Sequence, residues 1–347
     1  MTASTTAATR GGLTAHPMQG PWESEAVDVA FHPKHRDASV ASTRLRAFAP
    51  IAVLKAQGVA AGLFDPAAAP PRVVVLGKRY GDGDLALVER LHAAGTRVVF
   101  DICDNMLFNP MNDPAVARAG AKLLRMLRMV DRITCSTPTL AMQLKAAAGL
   151  GSVPHVVDDP YEPAGRPPQD RRPERPILLW FGRDGANNVP NGIRDLKAVA
   201  DHLRRWAGQV PFELLVCSNA QATYDREIAP LGLPSRFVPW TLEGFGGVLG
   251  MATAVLLPFM LNEFVLPKTH NRLTLSLGAG IPVLATGIPS YREFSAFCYV
   301  DDWEAGLSSV LTRPMDARAK AAPALGWILR RFSHEAIGAQ WREALAF

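Results

Sequence analysis

The stretch PILLWFGRDGANN, residues 176–188, decides how this chain is divided. Residues 177–181 are an unbroken apolar run of strand length, and the turn after them sets Arg183 and Asp184 between Gly182 and Gly185. Just upstream lies a charged segment punctuated by Pro160, Pro163, Pro167, Pro168, Pro173 and Pro176, which reads as a linker. On both sides of it short Val-, Ile- and Leu-rich runs alternate with helix-length amphipathic stretches, the pattern of a parallel α/β protein. Before the linker the expected strands are 26–31, 59–64, 72–76, 96–100, 132–135 and 153–157, with helices near 43–57, 84–94, 114–129 and 138–148. After it come strands at 177–181, 212–217, 235–238, 254–257, 282–285 and 298–300 and helices near 191–206 and 268–278. Two βα arrays in tandem are expected, residues 26–165 and 166–330. The last segment, 334–346, is an amphipathic helix with Ser333 as N-cap and Ile337, Trp341 and Leu345 on one face. That face needs a surface to cover, and the first array is expected to supply it.

Composition narrows the class. The chain has 347 residues, 48% hydrophobic and 20% charged, enough for about two well-packed domains and far from a disordered composition. The longest apolar stretch, 250–261, contains Pro258 and falls short of the roughly 20 residues a bilayer requires, so no transmembrane helix is expected. Cys103, Cys135, Cys217 and Cys298 are far apart, which suggests neither a zinc ribbon nor a disulfide framework and fits a reducing cytoplasm. The first residues lack the basic and apolar regions of a secretory signal, and 1–25 is expected to be disordered. A net charge of +5 suits an anionic small molecule. No run of basic residues interleaved with aromatics calls for nucleic acid. No repeat of 20–50 residues indicates a solenoid. The first βα turn, FHPKHRDASVASTRLR at 31–46, lacks the G-x-G-x-x-G of a nicotinamide enzyme, so the ligand is sought in the cleft at the carboxyl ends of two sheets.

Two stretches offer chemistry there. In the turn at 182–185 the glycines permit close backbone approach and Arg183 presents a fork to a phosphate, although a tight turn with a solvated Arg would read the same. In NEFVLPKTHNRLTLSLGAGIPV, residues 262–283, a helix starting near Lys268 would bring Lys268, Asn271 and Arg272 onto one face of its first turn. With the helix N-terminus they would make an anion site suited to a diphosphate; a solvated basic helix start is the plainer alternative.

At these two stretches the sequence resembles the nucleotide-sugar glycosyltransferases of GT-B fold, and among them the retaining family 4-like group. Gly182 and Arg183 match that group's G-[RK] phosphate contact, with Asn187 or Asn188 where a Lys commonly completes it. Pro258, Glu263, Phe264, Gly280, Pro282 and Val283 look like the remains of its P-x-x-x-E-G-F-G and G-x-P-V segments. The group's second Glu, which binds the donor ribose, falls on Asn271 or Leu275, neither acidic. The resemblance implies an α/β fold of two Rossmann-like domains facing each other across a cleft, the first holding the acceptor and the second the nucleotide sugar. It implies a metal-independent hexosyl transfer with retention, to a glycan, lipid-linked or protein acceptor, with no cofactor beyond the donor.

The roles it implies are diphosphate binding by Gly182, Arg183, Lys268, Asn271 and Arg272, and catalysis by Glu263, Asp101, Asp104 and Lys268. Trp240 and Thr241 in RFVPWTLEG, 236–244, fall where this fold seats the base; Trp240 would equally well pack in a core. Acceptor contacts are expected from Arg44 in the helix after the first strand, from Asn105 in RVVFDICDN, 97–105, and from His32, with His35 beside it. Structural use of Arg44 and Arg46, or a capped turn at 101–105, would account for those residues too. Asp101 and Asp104 miss the spacing of a D-x-D metal motif by one residue, and no metal is expected. A nucleotide-sugar epimerase and a non-catalytic nucleotide-sugar-binding scaffold are the alternatives. Finally, Arg118, Lys122, Arg125, Arg128 and Arg132 fall on one side of the helix at 114–129 and its end, a stripe that suggests weak peripheral contact with an anionic inner membrane face.

Overall fold

The computed structural model describes residues 27–164, 174–185, 189 and 191–346. The expectations for 1–25, for Asn187 and Asn188 and for the middle of the linker lie outside these residues. The chain forms two six-stranded sheets, each entirely parallel. The first contains β1 (Val29–Pro33), β2 (Ala61–Leu63), β3 (Val73–Gly77), β4 (Arg97–Ile102), β5 (Arg132–Cys135) and β6 (His155–Val156) in the order β2-β1-β3-β4-β5-β6. The second contains β7 (Ile177–Phe181), β8 (Glu213–Ser218), β9 (Ser235–Pro239), β10 (Ala254–Leu257), β11 (Val283–Ala285) and β12 (Tyr299–Val300) in the order β12-β11-β10-β7-β8-β9. The strand order therefore reverses between β1 and β3 in one sheet and between β7 and β10 in the other, the two places where open α/β sheets leave a crevice at their carboxyl ends.

Continuous apolar runs become strands here because both faces of each sheet are covered; Val73, Val74, Val75 and Leu76 are all buried, as are Ile177–Phe181. The helices start where capping chemistry says they should. Asp113 accepts a bond from Ala115 N ahead of Pro114, and Thr137 one from Leu140 N ahead of Pro138. The helix after β1 runs from Ala41 to Ala56 and contains a π-helical turn, Arg44–Phe48. Short helices between 289 and 332, namely Pro289–Arg292, Trp303–Thr312, Pro314–Ala321 and Ala324–Phe332, were not legible in the sequence; the second of them packs on β11 and β12.

The final helix, His334–Leu345, is capped by Ser333, whose hydroxyl accepts from Ala336 N, and it lies against the helix Ala49–Ala56 of the first domain. Trp341 is fully buried with its ring edge-on to Phe31 at 5.4 Å. Gly338 makes the approach possible, because a Cβ there would collide with the Val53 side chain. Arg132 donates to the carbonyls of Glu343 and Ala344 at 3.2 and 2.9 Å. Of the basic stripe, Lys122 pairs with Asp82 at 2.6 Å, Arg125 with Glu89 at 3.1 Å, and Arg128 donates to Ala148 O. Two of its five charges, Lys122 and Arg125, are thus paired with carboxylates of the first domain. No helix among the described residues is long and apolar enough to cross a membrane.

Candidate functional site

The carboxyl ends of the two sheets face one cleft of about 1280 Å³. Its second-domain wall begins where β7 ends. Gly182 N donates to Cys217 O and Ser218 Oγ to Gly182 O at 2.7 Å, while Asp184 accepts from Thr223 Oγ1 at 2.7 Å and from Ile193 N at 3.3 Å. The turn is thereby fastened on both sides. Over it lies Arg272, whose Nη1 donates to Phe181 O at 3.0 Å and whose guanidinium stands 5.0 Å from the Phe259 ring centre. Gly182 lets Arg272 lie this close: a Cβ there would sit 2.9 Å from Arg272 Nη1 and 3.3 Å from the Trp180 ring, so the guanidinium would have to shift. Arg183, next along, is exposed on the cleft, and no carboxylate among the described residues forms an ion pair with it. It is near enough to Asp37, across the cleft, to help hold that carboxyl below its usual range, after the larger effect of the Ser39 hydrogen bonds. Beneath the wall the buried Asp195 carboxylate accepts from Asn191 Nδ2, Gly192 N and Met260 N, all at 2.9 Å, and so joins the loops after β7 and β10. Burial raises its pKa, with those three bonds opposing the shift.

The first-domain wall is built of ion pairs. Arg46, 5% exposed, donates Nη2 to Asp101 Oδ1 at 2.5 Å and Nη1 to Asp159 Oδ1 at 3.1 Å, and also reaches Val157 O. Thr134 Oγ1 adds a bond to Asp101 Oδ1 at 2.8 Å, and the Trp341 ring covers the guanidinium at 5.2 Å. Burial works against the charge of Arg46, but the two carboxylates hold its pKa above the ordinary arginine value. Arg44 lines the cleft and pairs with Glu162 at 2.8 Å while donating to Ala38 O.

Between the walls, one carboxylate joins the domains. Asp104 Oδ1 receives Lys268 Nζ at 2.5 Å, and Oδ2 receives Lys78 Nζ. Burial would raise the Asp104 pKa, yet Lys268 and Lys78 keep it well below the usual carboxylate range. Further ties run beside it, from Thr137 Oγ1 to Pro267 O at 3.0 Å and from Asn105 Nδ2 and Gln143 Nε2 to Glu263 O at 3.2 and 3.1 Å.

Several expected placements are corrected by this geometry. The helix expected from Lys268 begins at Asn271, because Asn262 caps a tight turn at Phe264 and Val265 and Pro267 follows it, leaving Lys268 outside the helix. Lys268, Asn271 and Arg272 therefore do not share a face. Lys268 pairs with Asp104, Asn271 donates to Asp159 Oδ2 at 2.6 Å, and Arg272 alone joins Gly182 and Arg183. Glu263 is exposed and its side chain is not among those lining the cleft; the Asn262 turn points Phe264 and Val265 inward instead. Asp101 lies in the cleft wall but is only 1% exposed, its carboxylate paired with Arg46. Asn105 is an interdomain strut, and His32 packs on Phe64 at 5.1 Å outside the cleft lining, its pKa lowered to about 4 chiefly by burial; His35 lines the cleft in its place. Trp240 and Thr241 do line it. Trp240 is half-buried near Phe245 at 6.4 Å, and Thr241 Oγ1 accepts from Gly244 N.

Lys78, Asp159 and Asp195 were missed. The only sequence signal for Lys78 was its place directly after a buried strand, in LGKRYGDGD at 76–84. Nothing local marks the other two. Among the described residues no three His, Cys, Asp or Glu side chains are grouped so as to hold a metal ion.

No family model matches the sequence, nor does any curated protein. Solved structures do. TarM from S. aureus, crystallised with fondaparinux, alpha-GlcNAc-glycerol and UDP, superposes with a TM-score of 0.56 at 12% identity over 78% of this chain and 55% of its own. The pneumococcal O-GlcNAc transferase GtfA, with UDP and GlcNAc, gives 0.54 at 14% identity over 78% and 56%. This chain thus spans about half the length of those two proteins. WaaG, a glycosyltransferase involved in lipopolysaccharide biosynthesis, is matched over nearly its whole length, 98%, and 91% of this chain, with a TM-score of 0.58 at 14% identity. At these identities the likeness is one of fold: two Rossmann-like domains facing each other across a cleft, the GT-B arrangement.

Proposed function

We propose that the protein is a glycosyltransferase that moves a hexosyl group from a nucleoside diphosphate sugar to a glycan, lipid-linked or protein acceptor, with retention and without a metal. The observation that carries this is the pair Arg183 and Arg272 set around Gly182 at the strand-order reversal of the second sheet, two guanidinium groups that form no ion pair with a carboxylate among the described residues, although Asp37 and the buried Asp195 feel their charge. Charge-assisted, forked contacts to a diphosphate are the chemistry such a pair serves. In transfer, the bond between the anomeric carbon and the phosphate oxygen breaks, a bond to the acceptor oxygen forms on the same face of the sugar, and the acceptor's proton passes to the departing phosphate oxygen, which lies on that face. Arg183 and Arg272, with Lys268 across from them, would take up the charge that grows on the departing diphosphate. Trp240 is proposed to stack on the base and Arg44 to face the acceptor. UDP, bound in the TarM and GtfA structures, is the first nucleotide to try. Glu263 has no part in this scheme, since its carboxylate lies outside the cleft lining.

The test is release of nucleoside diphosphate from UDP-sugars that requires an acceptor, unchanged by EDTA and reduced in Arg183→Ala and Arg272→Ala. With the Glu263 carboxylate outside the cleft lining and an amide at Asn271, one other reading is favoured, a non-catalytic nucleotide-sugar-binding protein. It would bind UDP by calorimetry, with both arginines needed, and release none. A cytoplasmic location is proposed, and membrane contact is left out of the scheme because Asp82 and Glu89 answer Lys122 and Arg125. Co-sedimentation with anionic vesicles at low salt, above that with neutral ones, would restore it.

A further inference from the structure

Lys78 has no part in the scheme above, and its setting is unusual. It follows β3 where the first sheet reverses its strand order, and Lys268 lies on the loop after β10, where the second sheet does the same. Its backbone is left-handed, φ 56°, a conformation disfavoured for any residue with a Cβ and one that lysine has no short polar side chain to relieve. In this conformation its ammonium meets Asp104 in the cleft wall. Asp104 then bridges two ammonium groups, one from each domain, with Lys268 at 2.5 Å. The three side chains keep 18–29% of their surface exposed, so a solute can reach them.

We propose that the Asp104 carboxylate is an internal stand-in for a phosphate group: Lys78 and Lys268 form an anion subsite spanning both domains, Asp104 fills it in the free protein, and the diphosphate of the donor displaces it. The inference rests on the donor site of the preceding section and adds to it a first-domain cation, Lys78, and a built-in competitor, Asp104. A carboxylate and a phosphate make the same demand here, oxygens that accept from two ammonium groups. Burial works against the charge of Lys78, which is nonetheless kept above the ordinary lysine range by Asp104 and its neighbour Cys103, so the exchange is one anion for another and not a titration. Donor binding would free Lys268 from Asp104 and loosen one tie between the domains while the diphosphate forms another.

Calorimetry with pyrophosphate and with UDP on the full chain tests this. Asp104→Asn keeps the shape and removes the competitor, so its pyrophosphate Kd should fall about tenfold below wild type, as expected when a like charge leaves a binding site. Adding Lys78→Met should cancel the gain. Lys78→Met alone, in which Lys268 still compensates Asp104, should bind about tenfold more weakly than wild type. A folded Asp104→Asn that binds no tighter, a gain that survives Lys78→Met, or an unchanged affinity in Lys78→Met alone would each overturn the proposal. Should Asp104→Asn not fold, Lys78→Met decides. Wild-type protein that binds neither anion would overturn the donor site together with this inference, whereas binding that needs Arg183 and Arg272 but ignores Asp104 and Lys78 would overturn the inference alone.

Discussion

On the first-domain wall of the cleft Arg44, Arg46 and Lys78 each meet a carboxylate of the first domain or of the segment leaving it: Glu162, Asp101 with Asp159, and Asp104. On the second-domain wall Arg272 meets the Phe181 carbonyl and aromatic rings, and Arg183 faces open cleft. The first wall also carries the exposed Lys34, but its Arg44, Arg46 and Lys78 are met by carboxylates, whereas Arg183 and Arg272 form no ion pair among the described residues. Charge type is thus a poor guide to anion binding, and charge pairing a better one. In the buried Arg46 pairs of the first wall, removing one partner strands the other in a poor solvent; at Arg183 and Arg272 an anion has no carboxylate to displace, whereas at Lys78 it must displace Asp104.

The sharpest break in this contrast is Arg46→Leu. It would leave Asp101 and Asp159 buried without their cation, and the fold should lose about 3–5 kcal/mol, read as a large drop in Tm. A loss below about 1 kcal/mol would mean that the wall is not held by this pair.

The second effect concerns His270, which precedes the helix of Arg272. It is buried on Phe332 at 3.9 Å, neither ring nitrogen has a hydrogen-bond partner among the described residues, and burial lowers its pKa to about 4, against a smaller opposing effect of Asp158. The unfolded chain takes up the proton near the ordinary 6.5 and the folded protein only near 4. Stability is therefore full above about pH 6.5 and falls as pH drops toward 4, by roughly 3 kcal/mol from this group. In His270→Leu, Tm measured between pH 7 and 4 should decline less steeply than in wild type; parallel curves would remove His270 as the cause.

On the binding side, Arg183→Ala and Arg272→Ala should each weaken UDP about ten- to a hundredfold, the worth of a charge-assisted bond of roughly 1.5–3 kcal/mol, with Arg44→Ala affecting it far less. Equal losses in all three would erase the difference between the walls. The smallest effect is Gly182→Ala, which must push Arg272 aside and should cost UDP affinity about fivefold, with Tm little changed.

The helix start near 270 and the carboxylate at 263 mark where reading the sequence stopped working. Period and composition place β10 and the body of the following helix correctly, because a buried strand and an apolar face leave a repeating trace. They do not show that Asn262 will cap a turn, and that turn alone sends Glu263 outward and takes Lys268 off the helix. Likewise Asp101, at the end of β4, looks like an open cleft acid until Arg46, from a helix with a π-helical turn, is seen to occupy it.

What the sequence alone determined is therefore the two parallel α/β arrays, the apolar face of the last helix and the Gly-Arg turn after β7. Each of these is written in neighbouring residues, through periodicity or the conformational freedom of glycine. Tertiary structure decided which charges remain unpaired. Arg46 and Asp101 are 55 positions apart, and Asp104 and Lys268 are 164 apart. A pairing of that kind depends on how two sheets face one another, and no local pattern encodes it.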